Sequence, residues 1–335
     1  MKALQFVSED AAAVRTLDIP PIAADEVLIA SRRVGVCHSD IELLEGRYII
    51  PFEYPVIPGH EWSGEVAAVG SAVTDFAVGD RVVGECVIGD DHFGFSISGA
   101  AAEYFVAKPS WLHRLPSELS WAAGALVEPF SVAYYALMRV GNVNGSDVLV
   151  VLGAGPIGLA VTAAASALGA VTLVVEPSAE RREVALALGA VSAVHPDDAA
   201  DALASLSGGR GADVVVECSG RPEVMATALE LAAFRARIAY IGIDVGRSAP
   251  APLGLIQSKE LTITGSIGSP GVWPQTLRFL ATSGIDLSPL ITHVYGIDQA
   301  TDAVATAAAQ RGVIKAHIEL TAPVPAPAPA RAPAP

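Results

Sequence analysis

The sequence predicts an α/β protein of two parts, an all-β unit followed by a doubly wound parallel sheet. Three observations predict it. The first third is a series of short β-branched pieces, "EVLIASRRVGVC", "GEVAAVG", "GDRVVGECVIG" and "AAEYFVA", each closed by Gly or Asp. From about Trp121 the texture turns helical, and strands then alternate with Ala/Leu-rich helical segments through "DVLVVLGAG", "VTLVVEP", "DVVVECSG", "ARIAYIGID" and "LTITGSIG". Such alternation implies parallel strands joined by crossover helices. Finally, 335 residues exceed one ordinary core and fit two domains of roughly 100 to 200 residues.

Residues 148–176 run without a charge until the last position, long enough to cross a bilayer. Their punctuation contradicts a membrane span: Gly153, Gly155, Pro156 and Gly158 follow a β-branched run, and a helical stretch ends at Gly169 before "VTLVV". The expected order is strand, turn, helix, strand. After Ser269 come an amphipathic segment, "VWPQTLRFLATSG", and a last strand, "GVIKAHIEL". Residues 321–335 form a Pro/Ala repeat expected to be extended or disordered.

Composition narrows the function classes. A net charge of −15 with no Lys/Arg cluster disfavours nucleic acid and anionic lipid. The 52% hydrophobic against 17% charged content points to a buried subunit interface, hence a homo-dimer or homo-tetramer. The three cysteines, Cys37, Cys86 and Cys218, are too few and too far apart for a disulfide framework, and the opening "MKALQFVSED" lacks a signal-like apolar run, so a cytoplasmic protein is expected.

Gly153, Gly155 and Gly158 form GxGxxG between a strand and a helix, the context in which the pattern reports a dinucleotide site. The first glycine permits the tight turn, the second admits the pyrophosphate, and the third lets helix and strand pack closely. Glu176 closes the next strand, where a carboxylate accepts from a free ribose and repels a 2′-phosphate, favouring NAD over NADP. Arg181 and Arg182 nearby could instead hold that phosphate, or be solvated helix surface. A methyltransferase could show the same glycines and acid.

Cys37 alone reads as a small buried residue more readily than as a ligand, and His38 is likewise ambiguous. "PVIPGHEWSGEV" adds His60 and Glu61 within the same β-rich unit. Thiolate, imidazole and carboxylate are zinc donors of the kinds that leave a position open, whereas a structural zinc takes four closed ligands.

"GVCHSD", "PGHEWSGEV", "VGDRVVGE", "ALVEPFSVAYYAL", "VLVVLGAGPIGL", "VECSG" and "GVIKAHIEL" stand in the order and spacing of the zinc-dependent medium-chain alcohol and polyol dehydrogenases, which the chain resembles over nearly all of residues 1–320. The resemblance implies a GroES-like β-barrel catalytic domain at 1–124 and 269–320, and a Rossmann NAD-binding domain at 125–268. It implies Cys37, His60 and Glu61 as zinc ligands, Glu128 at the fourth corner directly or through water, and Asp40 orienting His60. Ser39 matches the hydroxyl that passes the substrate proton, and His38 the position beside the cofactor phosphates. Pro156, Ile157, Arg181 and Ser266 join the glycines and Glu176 at the cofactor.

Two departures accompany this likeness. Where relatives often carry four cysteines around a structural zinc, "GECVIGDDHFGFSISGAAAEYF" keeps Cys86 alone, so one catalytic zinc and no structural zinc is expected, with Asp90, Asp91 and His92 a polar turn. Glu42 stands where many relatives have a histidine in the proton path, so Glu42 or solvent takes over. The implied reaction is reversible oxidation of a secondary alcohol to a ketone. "EPF", with "VEPSAERR" and "PLITHVYGID", is similar to branches acting on polyols, cyclitols and aminocyclitols. The alternatives are an amino alcohol, a simple secondary alcohol, a zinc-free member of the fold, and a sensor that binds dinucleotide without turnover.

Overall fold

A computed structural model describes residues 1–243, 246–309 and 311–321. Residues 322–335 of the expected tail lie outside the described residues. The chain divides into two units, Met1–Glu128 with the chain from Thr292 onward, and Pro129–Ile291.

The first unit is built on long antiparallel strands. Val27–Val36 pairs with Glu61–Val69, Lys315–Glu319 and Tyr104–Ala107, and the sheet continues through Arg81–Gly84 to Leu112–Arg114. Alternating residues of these strands, among them Val27, Ile29, Val66 and Val82, enter one apolar core with Phe6, Leu43 and Phe105. The terminal strand is therefore bound beside the opening third by pairing, not by sequence proximity. A separate hairpin, Lys2–Ser8 with Ala11–Thr16, turns at Asp10 and was not anticipated.

The segment where relatives carry a cysteine-rich lobe is here a two-residue hairpin, Val87–Ile88 with Asp91–His92. Phe93 and Phe95, directly after it, are buried in the core. Phe93 packs 5.3 Å from Phe105, and Phe95 stacks 4.3 Å from Tyr48 and lies 4.7 Å from His60, between ring centroids. Apolar burial of two large rings thus anchors the shortened segment.

The second unit carries six parallel strands in the order Ser192–Val194, Val171–Val175, Val148–Leu152, Ala212–Glu217, Ala232–Tyr240, Thr262–Gly265. The chain starts in the middle, winds to one edge, returns beside its start and winds to the other. That is the Rossmann order, whose reversal lies between Val148–Leu152 and Ala212–Glu217, where ligands bind outside the carboxyl ends of the strands. The uncharged stretch resolves into two strands flanking the helix Pro156–Ala167. No helix among the described residues is long and apolar enough to cross a membrane.

The division between units differs from the expected junctions at 124/125 and 268/269. The amphipathic helix Trp273–Ser283 belongs to the second unit because Phe279 stacks 4.8 Å from Tyr134 and 6.2 Å from Phe130. Only from Thr292 does the chain rejoin the first unit.

Candidate metal and dinucleotide sites

Cys37 follows directly on Val27–Val36 and caps the helix His38–Leu44. Asp40, in the first turn, accepts the Cys37 N–H on Oδ2 at 2.8 Å, so the end of the strand and the start of the helix are tied by one carboxylate. The other oxygen, Oδ1, lies 3.5 Å from His60 Nδ1. Asp40 and His60 are both buried. Burial disfavours the charged ring, but Asp40 outweighs it, with Cys37 adding to the effect, and raises His60 well above its usual pKa. With Nδ1 turned to Asp40, Nε2 is the nitrogen left for a metal.

Glu61 opens the strand Glu61–Val69 and pairs with Gly35 on the neighbouring strand. A Cβ at Gly35 would overlap Glu61 Oε2, so the missing side chain is the space the carboxylate fills. Oε1 accepts from Lys315 Nζ at 2.7 Å, while Oε2 is buried without a hydrogen-bond partner. Among the described residues, Cys37, His60 and Glu61 are the group whose donor atoms converge for a metal, all within 4.8 Å of one another. A thiol, an imidazole and a carboxylate that converge, with one oxygen of that carboxylate buried and unpartnered, are the donor set that a zinc ion satisfies, so the residues present fit that ion. Replacing Gly35 by alanine is expected to push Glu61 out of place, with zinc lost on dialysis and kcat/KM down by about 100-fold. A fully active, zinc-retaining Gly35→Ala protein would contradict this placement.

Glu128 is not part of the converging trio. It stands half-buried in the first turn of the helix Val127–Val140. Burial pushes its carboxyl up to about 7, against His60 and Lys315 and with the help of Glu61 and Asp40, which places it in the electrostatic neighbourhood of the trio. Ser39 is half-buried and His38 exposed in the first turn of their helix. The Glu42 carboxylate lies 3.6 Å from the Arg47 guanidinium, which links it to the loop after the helix. Asp90 and Asp91 are exposed, as a polar turn requires.

In the second unit the three glycines behave as three different parts. Gly153 takes φ +96°, the turn; a Cβ on Gly158 would strike the Gly153 carbonyl oxygen; and a Cβ on Gly155 would meet nothing within 4 Å, which leaves that face open. Pro156 and Ile157 begin the helix Pro156–Ala167, which Gly155 caps, and the free N–H groups of a helix's first turn favour phosphate. The buried Glu176 accepts the Ala154 N–H on Oε2 at 2.7 Å and the Ser178 N–H on Oε1 at 2.9 Å, so its carboxylate is fixed beside the glycine turn with further lone pairs available. Arg182 is folded back onto the Glu176 and Pro177 carbonyls at 2.7 and 2.8 Å, and the Arg181 N–H donates to the Ser178 cap at 3.3 Å. Ser266 is buried, its N–H on the Tyr240 carbonyl and its Oγ without a partner.

Two nearby side chains escaped the sequence reading, Lys315 and Tyr48. The alternation of Lys315, His317 and Glu319 with apolar neighbours reads as an exposed polar face, so the strand pattern carries no sign that Lys315 is buried.

An antiparallel unit with one sulfur, nitrogen and oxygen donor set, and a parallel unit with a dinucleotide turn, define the class of metal-dependent nicotinamide dehydrogenases. Comparison with known proteins agrees. Residues 23–117 match the alcohol dehydrogenase GroES-like domain, and residues 156–282 the zinc-binding dehydrogenase domain. The sorbitol dehydrogenase of Bacillus subtilis (strain 168) is 33% identical over 318 residues, 87% of this chain and 89% of that protein. The crystal structure of 2R,3R-butanediol dehydrogenase from Bacillus subtilis superposes with a TM-score of 0.87 at 29% identity, over 96% of this chain and 99% of that one. A chain from Sinorhizobium meliloti 1021 described as a zinc-binding dehydrogenase, bound to NADP, gives 0.87 at 27% identity over 95% and 98%. The protein belongs to the zinc-dependent medium-chain alcohol and polyol dehydrogenase family. It is an alcohol dehydrogenase acting on secondary alcohols with zinc and a nicotinamide cofactor.

Proposed function

We propose that the protein reversibly oxidises one secondary hydroxyl of a polyol, cyclitol or aminocyclitol to a ketone, using one zinc ion per chain and NAD in preference to NADP. The observation that carries this reading is the Glu61 carboxylate converging with Cys37 and His60 within 4.8 Å, with its Oε2 buried and unpartnered. A carboxylate in the ligand set resembles the polyol branch, and the sorbitol dehydrogenase relative supports the same substrate class.

Cys37, His60 and Glu61 would hold the zinc, with Glu128 at the fourth corner. The zinc supplies Lewis acidity toward a substrate oxygen and the nicotinamide a hydride acceptor. Asp40 holds the His60 ring in the tautomer that presents Nε2. Ser39 takes the hydroxyl proton from the substrate and passes it toward Glu42 or solvent, and His38 is assigned by resemblance alone to the position that serves the cofactor phosphates. Glu176 accepts from the ribose hydroxyls, while Gly153, Gly155, Pro156, Ile157 and Gly158 shape the pyrophosphate turn, with Arg181 and Ser266 completing the cofactor site. Three unpaired cysteines fit a cytoplasmic enzyme. The uncovered edge strand Thr262–Gly265, with Ile263 and Ile267 exposed, supports a homo-oligomer.

The test is a panel of polyols, cyclitols, aminocyclitols, amino alcohols and simple secondary alcohols with NAD and NADP, followed at the nicotinamide absorbance. A polyhydroxylated substrate with NAD should give the highest kcat/KM, and Glu176→Gln should narrow the preference for NAD by roughly tenfold, because a negative charge beside the 2′-phosphate is removed. A simple alcohol at the top of the ranking, or a preference for NADP, would refute the corresponding part.

A further inference from the structure

The last strand brings a charge to the metal site that none of the roles above uses. Ala316 and His317 pair with Val36 and Gly35, and Gly35 pairs on its other side with Glu61. Residues directly opposite across a sheet point to the same face, and so does every second residue along a strand. Glu61, His317 and Lys315 therefore share one face, with Gly35 as the gap between strands. There Lys315 Nζ meets Glu61 Oε1 at 2.7 Å, with side-chain exposures of 3% and 1%, and approaches the Val36 carbonyl at 3.4 Å.

We propose that Lys315 is a positioning residue of the metal centre, which occupies one oxygen of Glu61, leaves Oε2 as the single oxygen offered to the metal, and moderates the affinity of the site by competing for that carboxylate. This rests on Cys37, His60 and Glu61 being the metal ligands. The charge arrangement decides the sign of the effect. Lys315 Nζ sits on the buried Glu61 carboxylate, so its ammonium offsets buried negative charge when no metal is bound. A metal cation then enters beside an existing positive charge and shares its carboxylate.

Replacing Lys315 by methionine keeps the length and apolar stem and removes the charge. The metal-free protein then holds Glu61 unpaired in a buried place, a costly state. The metal-loaded protein instead loses a repelling neighbour. Both changes favour the loaded form. Loss of orientation opposes them, but Glu61 stays fixed by its pairing with Gly35 and by the packing of its carboxylate against that residue.

The experiment is zinc competition against a chromogenic chelator of known affinity, with the rate of zinc release from loaded protein into excess chelator as a second readout that needs no folded metal-free state. K315M should bind zinc at least about tenfold more tightly and release it more slowly than the unaltered protein, whereas K315R should stay within roughly threefold. In an E61Q background the same K315M change should alter zinc affinity by less than about threefold, since the contact it acts through is gone. Unchanged or weaker zinc binding with unchanged release in K315M, or an equal effect with and without E61Q, would overturn the role of Lys315. An unaltered protein that binds no stoichiometric zinc would overturn the site itself, and this role with it.

Discussion

Cys37→Ser is expected to lose its zinc and at least about 1,000-fold in kcat/KM, while the dinucleotide dissociation constant stays within roughly twofold. The thiolate is the soft, charged donor of the trio, and a serine hydroxyl is neither charged at neutral pH nor a good zinc ligand. The fold has little reason to suffer. Serine is small and is a better helix cap than cysteine, and the contact that ties this turn, from the Cys37 N–H to Asp40, uses the backbone. The dinucleotide turn belongs to the other unit, with its own core of Val150, Leu152, Val215 and Ile238. Steady-state kinetics, metal analysis and cofactor titration on one preparation check all three expectations. Retained zinc with normal turnover would remove Cys37 from the ligand set.

Asp40→Asn is expected to lower zinc affinity or activity by about 10- to 100-fold, less than the loss of a ligand but more than a surface change. The carboxylate makes two contacts at once, the backbone cap at 2.8 Å and the approach to His60 Nδ1 at 3.5 Å. Asparagine can accept from Cys37 with its carbonyl oxygen, but it then turns an amide N–H toward Nδ1 and loses the negative charge that favours a proton there. The His60 ring loses its electrostatic guide without losing its packing against Phe95. Asp40→Glu would not restore function, since a longer side chain cannot keep both contacts in a seven-residue helix that starts at His38. Zinc affinity and kcat/KM of the two variants measure this, and an Asp40→Asn protein indistinguishable from the unaltered one would show that Asp40 serves only as a cap.

Much of the second unit was legible because its signals are local. The strand ending at Leu152, the turn at Gly153 and the helix from Pro156 lie within one short stretch, and residue-by-residue chemistry assigns each glycine a separate part. Cys37, His60 and Glu61 were legible as residue types, since few roles unite a thiol, an imidazole and a carboxylate. What the pattern could not show is contact across long separations. The pairing of Lys315 with Glu61 spans 254 positions and depends on the register of three strands around Gly35. The same limit hid the stacking of Phe279 on Tyr134, which assigns the helix Trp273–Ser283 to the second unit. The hairpin of Lys2–Ser8 and Ala11–Thr16 left only a weak trace, a short Ala-rich run on either side of an acidic turn at Asp10. Glu128 is intermediate: its apolar setting was readable, and its neighbours His60 and Glu61 belong to the same unit, but its donor oxygen does not converge with the trio.

Catalysis requires metal in the trio, and elemental analysis of purified, fully active protein after exhaustive dialysis tests this most directly. The expected result is one zinc per chain, lost in Cys37→Ser. Full activity with no stoichiometric transition metal would contradict the account at its centre, whatever substrate the panel identifies.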